Sequence, residues 1–363
     1  MIMLYGQIDH TIKPYSMWDL SAYKNMALSS PSINIDIQKP QAYRILGPFL
    51  IGLFPIPLHI GFYIFSVIFS IFLVIQFYCL LRYMGLSSDV SMITVFLFMF
   101  NKYFFGFTVW NYFQINDIIS LNIIIVLFLS MWEGQWMVFG VALVLGAITK
   151  EVSMLVVPIL FIYLIETKCL TAKWRKALAA ITPGILVFIL IRILIPATGG
   201  EISTSVFLDN FNKIYSPESI FNLLINPFIP LILIPLVYFK STVEFFKARK
   251  YALVFVCLVV FSAMFGPGLF SSSNVNPISL FGSNNVRLMA PAFIVFYMLI
   301  GIIFESINKG KVFYSLILVF GLLSSFHHVY GIYPLPDRGW VYSLSLVSTI
   351  VITGTMYIKK GAG

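Results

Sequence analysis

Hydrophobic residues in this chain run in long unbroken blocks, and polar residues gather in the gaps between them. Blocks of about 15 to 25 apolar residues suit helices that cross a bilayer, whereas barrel strands would alternate over about 10 residues. Eleven such blocks stand out: Leu58–Leu81, Val90–Phe107, Ile118–Met131, Trp136–Ile148, Val152–Ile165, Ala177–Ile195, Phe228–Phe239, Tyr251–Phe265, Pro291–Phe304, Phe313–Phe326 and Val341–Tyr357. Several hold only about 12 to 15 residues, or about 18 to 22 Å of helix. Short or tilted spans of this kind suit the walls of an embedded cavity, and Ile118–Ile165 has room for re-entrant pieces. The expected fold is therefore all-α: a polytopic helical membrane domain of about eleven transmembrane helices over residues 58–363. Residues 1–57 form a separate leading loop. Its first 43 residues are polar with scattered aromatics; Tyr43–Phe54 is apolar but short, and Pro40, Pro48, Pro55 and Pro57 break it up. That pattern predicts amphipathic or interfacial helices rather than a span.

Composition agrees with this reading. Of 363 residues, 60% are hydrophobic and only 10% charged. Soluble domains carry about 25% charged residues, so this chain has too few to cover a water-facing surface. The net charge of +9 is read through topology, with no call for nucleic acid as a partner, because cytoplasmic loops collect Lys and Arg. With residues 1–57 outside, the inside loops hold thirteen of the 23 basic residues, in clusters such as Lys168–Lys176 and Lys240–Lys250, against five of the 14 acids. The C-terminus then falls in the cytoplasm. An outside arm of this length requires a span ahead of it, and MIMLYG is expected to be the tail of one. Cys79, Cys169 and Cys257 make no CxxC and no disulfide framework.

The outside loops are where chemistry is expected. Asp19 and Tyr23 are four residues apart and share a face if helical. They read as a base with a neighbouring hydroxyl, or as a helix-start acid with an interfacial tyrosine. Arg44 suits a phosphate by its planar fork, or snorkels to the headgroups. Lys150–Glu151 sits between two apolar blocks, where charge is costly unless paired or wetted; it reads as a lysine for an anionic group with its acid partner, or as a tight turn. Asp117 reads as the cap of the next helix. Arg287 and the pair His327–His328 stand at outer mouths and suit anion binding or proton shuttling. Adjacent histidines are a poor metal signal, since helical ligand pairs sit three or four apart. P-loop, GxGxxG, HExxH and GxSxG patterns are all missing from the sequence, which removes support for nucleotide-driven pumping and for soluble-type hydrolysis.

Three strings carry a resemblance. Asp19-x-x-x-Tyr23-x-x-Met26-Ala27, then Tyr43-Arg44-Ile45-Leu46-Gly47-Pro48, then Thr149-Lys150-Glu151 leading to Pro158 resemble the multispanning glycosyltransferases of the C superfamily. The likeness is greatest to prokaryotic members related to lipid-linked-sugar-dependent mannosyltransferases. It runs from Asp9 to Pro158 by motif and over the rest by hydropathy. It implies a catalytic base in the first extracytoplasmic loop, with Asp19 the best match and Asp9 the second. It implies a sugar donor on a polyprenyl phosphate and a glycan, lipid or protein acceptor. Tyr23, Arg44, Lys150, Glu151, Arg287, His327 and His328 become substrate-binding candidates. A divalent cation helps some relatives, but no ligand set here requires one. The implied setting is the plasma (inner) membrane of a prokaryote. The competing expectations are an extracytoplasmic polysaccharide polymerase or ligase relying on Arg287, His327 and Arg338, and a lipid or solute transporter or flippase.

Overall fold

A computed structural model of the chain describes residues 8, 19–34, 36–101, 107–195, 208, 211–212, 226–264, 284–307, 310–325 and 338–360. Among them 84% are helical and none is in a strand, so the chain is all-α. The helices used below are α1 (Leu20–Ser29), α2 (Leu46–Gly52), α3 (Leu58–Tyr83), α4 (Ser88–Met99), α5 (Ile115–Glu133), α6 (Trp136–Thr149), α7 (Val156–Glu166), α8 (Leu170–Leu194), α9 (Phe239–Ala248), α10 (Lys250–Ala263), α11 (Asn284–Ile307), α12 (Lys311–Ser325) and α13 (Arg338–Lys360). Four stretches among the described residues are long and apolar enough to cross a membrane: Leu58–Tyr83, Tyr112–Glu133, Leu170–Leu194 and Arg287–Ile307. The first, with 26 residues, extends about 39 Å.

Burial separates these four into two kinds. Tyr112–Glu133 and Arg287–Ile307 are buried over 83% and 78% of their apolar windows, Leu58–Tyr83 and Leu170–Leu194 over only 33% and 22%. On α3, Ile60, Ile64, Ile68, Ile71 and Ile75 are all exposed. Their spacing of three and four places them in one continuous stripe. Leu186, Ile189, Leu190, Ile193 and Leu194 do the same for α8. Apolar stripes of this length are tolerated where lipid, not water, is the solvent.

The chain gathers into two compact units that interleave along the sequence. One holds Gln7–Gln76 and Asn111–Ile202; the other holds Phe77–Trp110 and Ser203–Gly363. In the first, α5 packs on α6 and α6 on α8, while α1 lies on α2 and α2 on α5. Asn122 Nδ2 donates to the Phe69 carbonyl at 3.0 Å and Ser66 Oγ to the Tyr112 carbonyl at 2.7 Å; such bonds tie spans together where the hydrophobic effect cannot. Met26, Ile37, Ala42, Ile45 and Ile195 form a small apolar cluster, which clamps α1 and the following loop to the end of α8. In the second unit α11 is central, packed on α4 and α10, and α12 packs on α13 and α4.

One expected span is absent as such. Phe228–Phe239 is a 3₁₀ turn at Asn226–Phe228, a run of turns, and a single helical turn at Ile234–Val237. Pro227, Pro230 and Pro235 each lack the N–H that a continuous helix needs. The basic segment after it, expected as loop, is the amphipathic helix α9, with Phe245 buried and Lys240, Glu244 and Lys247 exposed. In the block Val90–Phe107 the helix α4 ends at Met99 and a further helical turn, Phe107–Trp110, begins at its last residue, while Val152–Ile165 opens as a 3₁₀ helix, Glu151–Leu155, before α7. Tyr43–Phe54 yields only the seven-residue α2, too short to cross.

Gly52 fixes how closely α1 and α2 approach. A Cβ there would sit 2.0 Å from the Ala27 carbonyl oxygen, and backbone cannot rotate aside. Gly52→Ala is therefore expected to destabilise the protein by at least about 2 kcal/mol. Gly354→Ala, in α13 with nothing within 4 Å, should raise stability by about 0.5 to 1 kcal/mol. Thermal unfolding of both variants in one detergent checks the contrast; equal melting temperatures would count against the packing described.

Candidate functional site

The buried charged residues of the first unit, Arg44, Asp117 and Lys150, are gathered at one end, and helix breaks put them there. The chain leaves α6 at Lys150, whose backbone is extended (φ −164°, ψ 136°), and resumes as the 3₁₀ helix at Glu151. This break turns two neighbouring side chains to different partners. Lys150 Nζ lies 2.6 Å from Asp117 Oδ1, both side chains being almost fully buried. Glu151 Oε2 accepts from Arg44 Nε and Nη2 at 3.3 and 3.2 Å, and Glu151 Oε1 lies 3.7 Å from Arg192 Nη2. Lys150 and Glu151 therefore do not pair with each other, contrary to the simplest reading of their adjacency. Asp117 is not a cap either: Gln114 occupies that position, and Asp117 sits inside the first turn of α5.

Arg44 is a pinned residue. It is 8% exposed, its carbonyl accepts from Asn116 Nδ2 at 2.9 Å, and Asn116 Oδ1 accepts the Gly47 N–H at 3.1 Å. Both ends of the Arg44–Gly47 turn are thus fastened to α5. Burial works against the charge on Arg44, but Glu151, the Tyr23 hydroxyl beside it and Asp117 outweigh that and raise its pKa further. Snorkelling to headgroups is excluded by this burial. Arg192, on the last turn of α8, is the more open guanidinium: its side chain is 24% exposed, and it lies over the Tyr43 ring at 4.8 Å. Its place beside Glu151 is not evident from sequence, since the two residues are 41 positions apart and no spacing rule links them.

Asp19 and Tyr23 do share a turn. The Tyr23 N–H donates to the Asp19 carbonyl at 3.0 Å, and Tyr23 is fully buried. Asp19 precedes α1 with φ 34°, in the left-handed region, and its side chain makes no cap bond. Its carboxylate instead accepts from Gln41 Nε2 at 2.6 Å through Oδ1 and from Gln114 Nε2 at 3.2 Å through Oδ2. A non-glycine residue held in that conformation, with its carboxylate turned from the helix it begins, marks a position fixed by its surroundings. Gln114 Oε1 is buried and has no hydrogen-bond partner among the described residues. Neither glutamine was singled out by sequence; no spacing rule links positions 22 and 95 residues away from Asp19.

Arg287 lies in the first turns of α11, in the other unit. Asp9, His327 and His328 fall outside the described residues. Among the described residues no three His, Cys, Asp or Glu side chains gather as a metal ion would need, so none is assigned to a divalent cation here.

The cluster sets two expectations. Lys150→Met leaves Asp117 as a buried carboxylate without its ammonium and should cost about 3 to 5 kcal/mol, while Lys150→Met with Asp117→Leu should recover most of that. Denaturant unfolding of the three proteins tests this, and equal loss in single and double variants would refute the pairing. Burial opposes ionisation of Glu151, yet Arg44, Arg192 and Lys150 hold its carboxyl below the usual range. An unfolded Glu titrates at about 4.3. The stability from Glu151 is thus complete above that pH and disappears as pH falls through the lower, folded value. Glu151→Gln should flatten the acid side of the stability curve and leave its alkaline side unchanged in shape.

Comparison with models of protein families, with curated proteins and with solved structures finds no match to this chain.

Proposed function

We propose that this chain is a membrane glycosyltransferase of the C-superfamily type, transferring a sugar from a polyprenyl-phosphate donor to an acceptor hydroxyl, with inversion. The observation that carries the reading is Asp19: a carboxylate held by two side-chain amides in left-handed backbone, in the same compact unit as Arg44, Lys150 and Arg192. A base and a cationic cluster are the two parts that glycosyl transfer from a phosphate needs.

In this mechanism Asp19 takes the proton of the acceptor hydroxyl as that oxygen bonds to the anomeric carbon. The bond from the anomeric carbon to the phosphate oxygen breaks, and the electron pair leaves with the polyprenyl phosphate. Gln41 and Gln114 keep the carboxylate aimed, and the unpartnered Gln114 Oε1 can accept from a second acceptor hydroxyl. Among the described residues, Arg44 and Arg192 pair with Glu151, and Lys150 with Asp117. Arg192 is the most open of the three cations, and it suits the leaving phosphate. Tyr23 sets Arg44, and Asp9 stays as the alternative base. The proposal carries with it a multispanning helical membrane domain, residues 1–57 outside, a cytoplasmic C-terminus and the inner membrane of a prokaryote.

Purified protein with a panel of polyprenyl-phosphate monosaccharides tests the reading. Asp19→Asn should lower kcat by about 10² to 10⁴ with the melting temperature kept. Gln114→Leu should raise the KM for acceptor, and Arg192→Ala the KM for donor. Transfer at full rate by Asp19→Asn would remove Asp19 from the mechanism, and no transfer from any donor by the unmodified chain would sink the proposal.

A further inference from the structure

The opposite end of α8 carries a second feature, independent of the proposed reaction. Helices α6 and α8 run parallel, since Gly140 meets Ala180 and Leu143 meets Gly184. Beside that close contact lies a groove of about 660 Å³. Val141, Val144, Leu145, Ala179 and Pro183 line its length, and Trp136 and Lys176 close one end. Met137 at the same end is 84% exposed, and Val141 is exposed too. The lining contains no acidic side chain. Lys176 is exposed, as are Lys173, Arg175 and Lys168 on the same turns and the one before, and Arg175 lies against the Trp174 ring.

We infer that this groove is a binding site for an anionic glycerophospholipid, one acyl chain lying along the groove and the phosphate on Lys176. The chemistry is set by position. An apolar trough on a span that the protein leaves mostly uncovered is filled by hydrocarbon. An indole at its end belongs at headgroup depth. An ammonium with basic neighbours and no facing acid then selects a negative headgroup over a zwitterionic one, by about fivefold per charge. The site is about 24 Å of helix away from Arg192, counting sixteen residues along α8, so it is not the donor position of the proposed reaction.

The test is native mass spectrometry of the full chain released from nanodiscs of equal phosphatidylcholine and phosphatidylglycerol. The expected result is one retained phosphatidylglycerol, at least about fivefold over phosphatidylcholine. Lys176→Glu and Lys176→Gln should each abolish the preference. Lys24→Glu, exposed on α1, which packs at the other end of α8, should keep it. Val144→Trp should fill the trough and lower retention of both lipids. Equal retention of the two lipids, or an equal loss in Lys24→Glu, would overturn the site. So would a dimer that Val144→Trp dissociates, which would make this face a contact between two copies.

Discussion

A charge in a poorly hydrated interior must be paired. In this chain the pairing of Lys150 with Asp117 and of Arg44 with Glu151 organises the surrounding backbone. The helix break at Lys150 exists to separate two adjacent charges onto different partners. The first turn of α5 must present Asp117 to one and Asn116 to the other side of the same cluster. The Arg44–Gly47 turn must sit against α5 so that Asn116 can bridge it. Remove the pairing requirement and neither the broken helix nor the fastened turn has a cause. The net contribution of buried pairs to stability is small or negative compared with apolar replacements. Their effect is to admit one arrangement of the leading segment and exclude others.

That arrangement holds Asp19. Its carboxylate is fixed from two directions by Gln41 and Gln114, one from the loop before α2 and one from the turn before α5. Met26, Ala42 and Ile195 pack in one apolar cluster, which joins α1, the loop and the end of α8. The same logic accounts for Gly52, where the absence of a side chain lets α1 lie directly on α2. A polar cluster in a membrane protein is expensive, and this one is confined to a single end of one unit, while α3 and the Leu186–Leu194 stretch of α8 present exposed apolar stripes.

The sequence made the helical class and most helix positions legible, because lipid imposes long apolar blocks that need no knowledge of packing. It failed at Phe228–Phe239, where hydropathy outvoted two prolines inside the block and a third just ahead of it that the backbone could not ignore. It found Asp19, Tyr23, Arg44, Lys150 and Glu151 as residues of interest, since charge at a membrane boundary is conspicuous. It could not find their partners. Lys150 sits 33 residues from Asp117, and Arg44 is 107 from Glu151; such distances are settled by which helices touch. Glutamines 41 and 114 carry no charge and look like ordinary loop residues until the carboxylate between them is seen.

Helix α8 links the two ends of the first unit. It extends about 37 Å for its 25 residues and little of it is covered by protein. A helix so placed tilts to match the hydrocarbon thickness around it, at a cost of only fractions of a kcal/mol per Å. The depth and angle at which Arg192 meets Glu151 are thus set partly by the surrounding bilayer. Membranes of different thickness would hold the same polypeptide with its guanidinium at different heights.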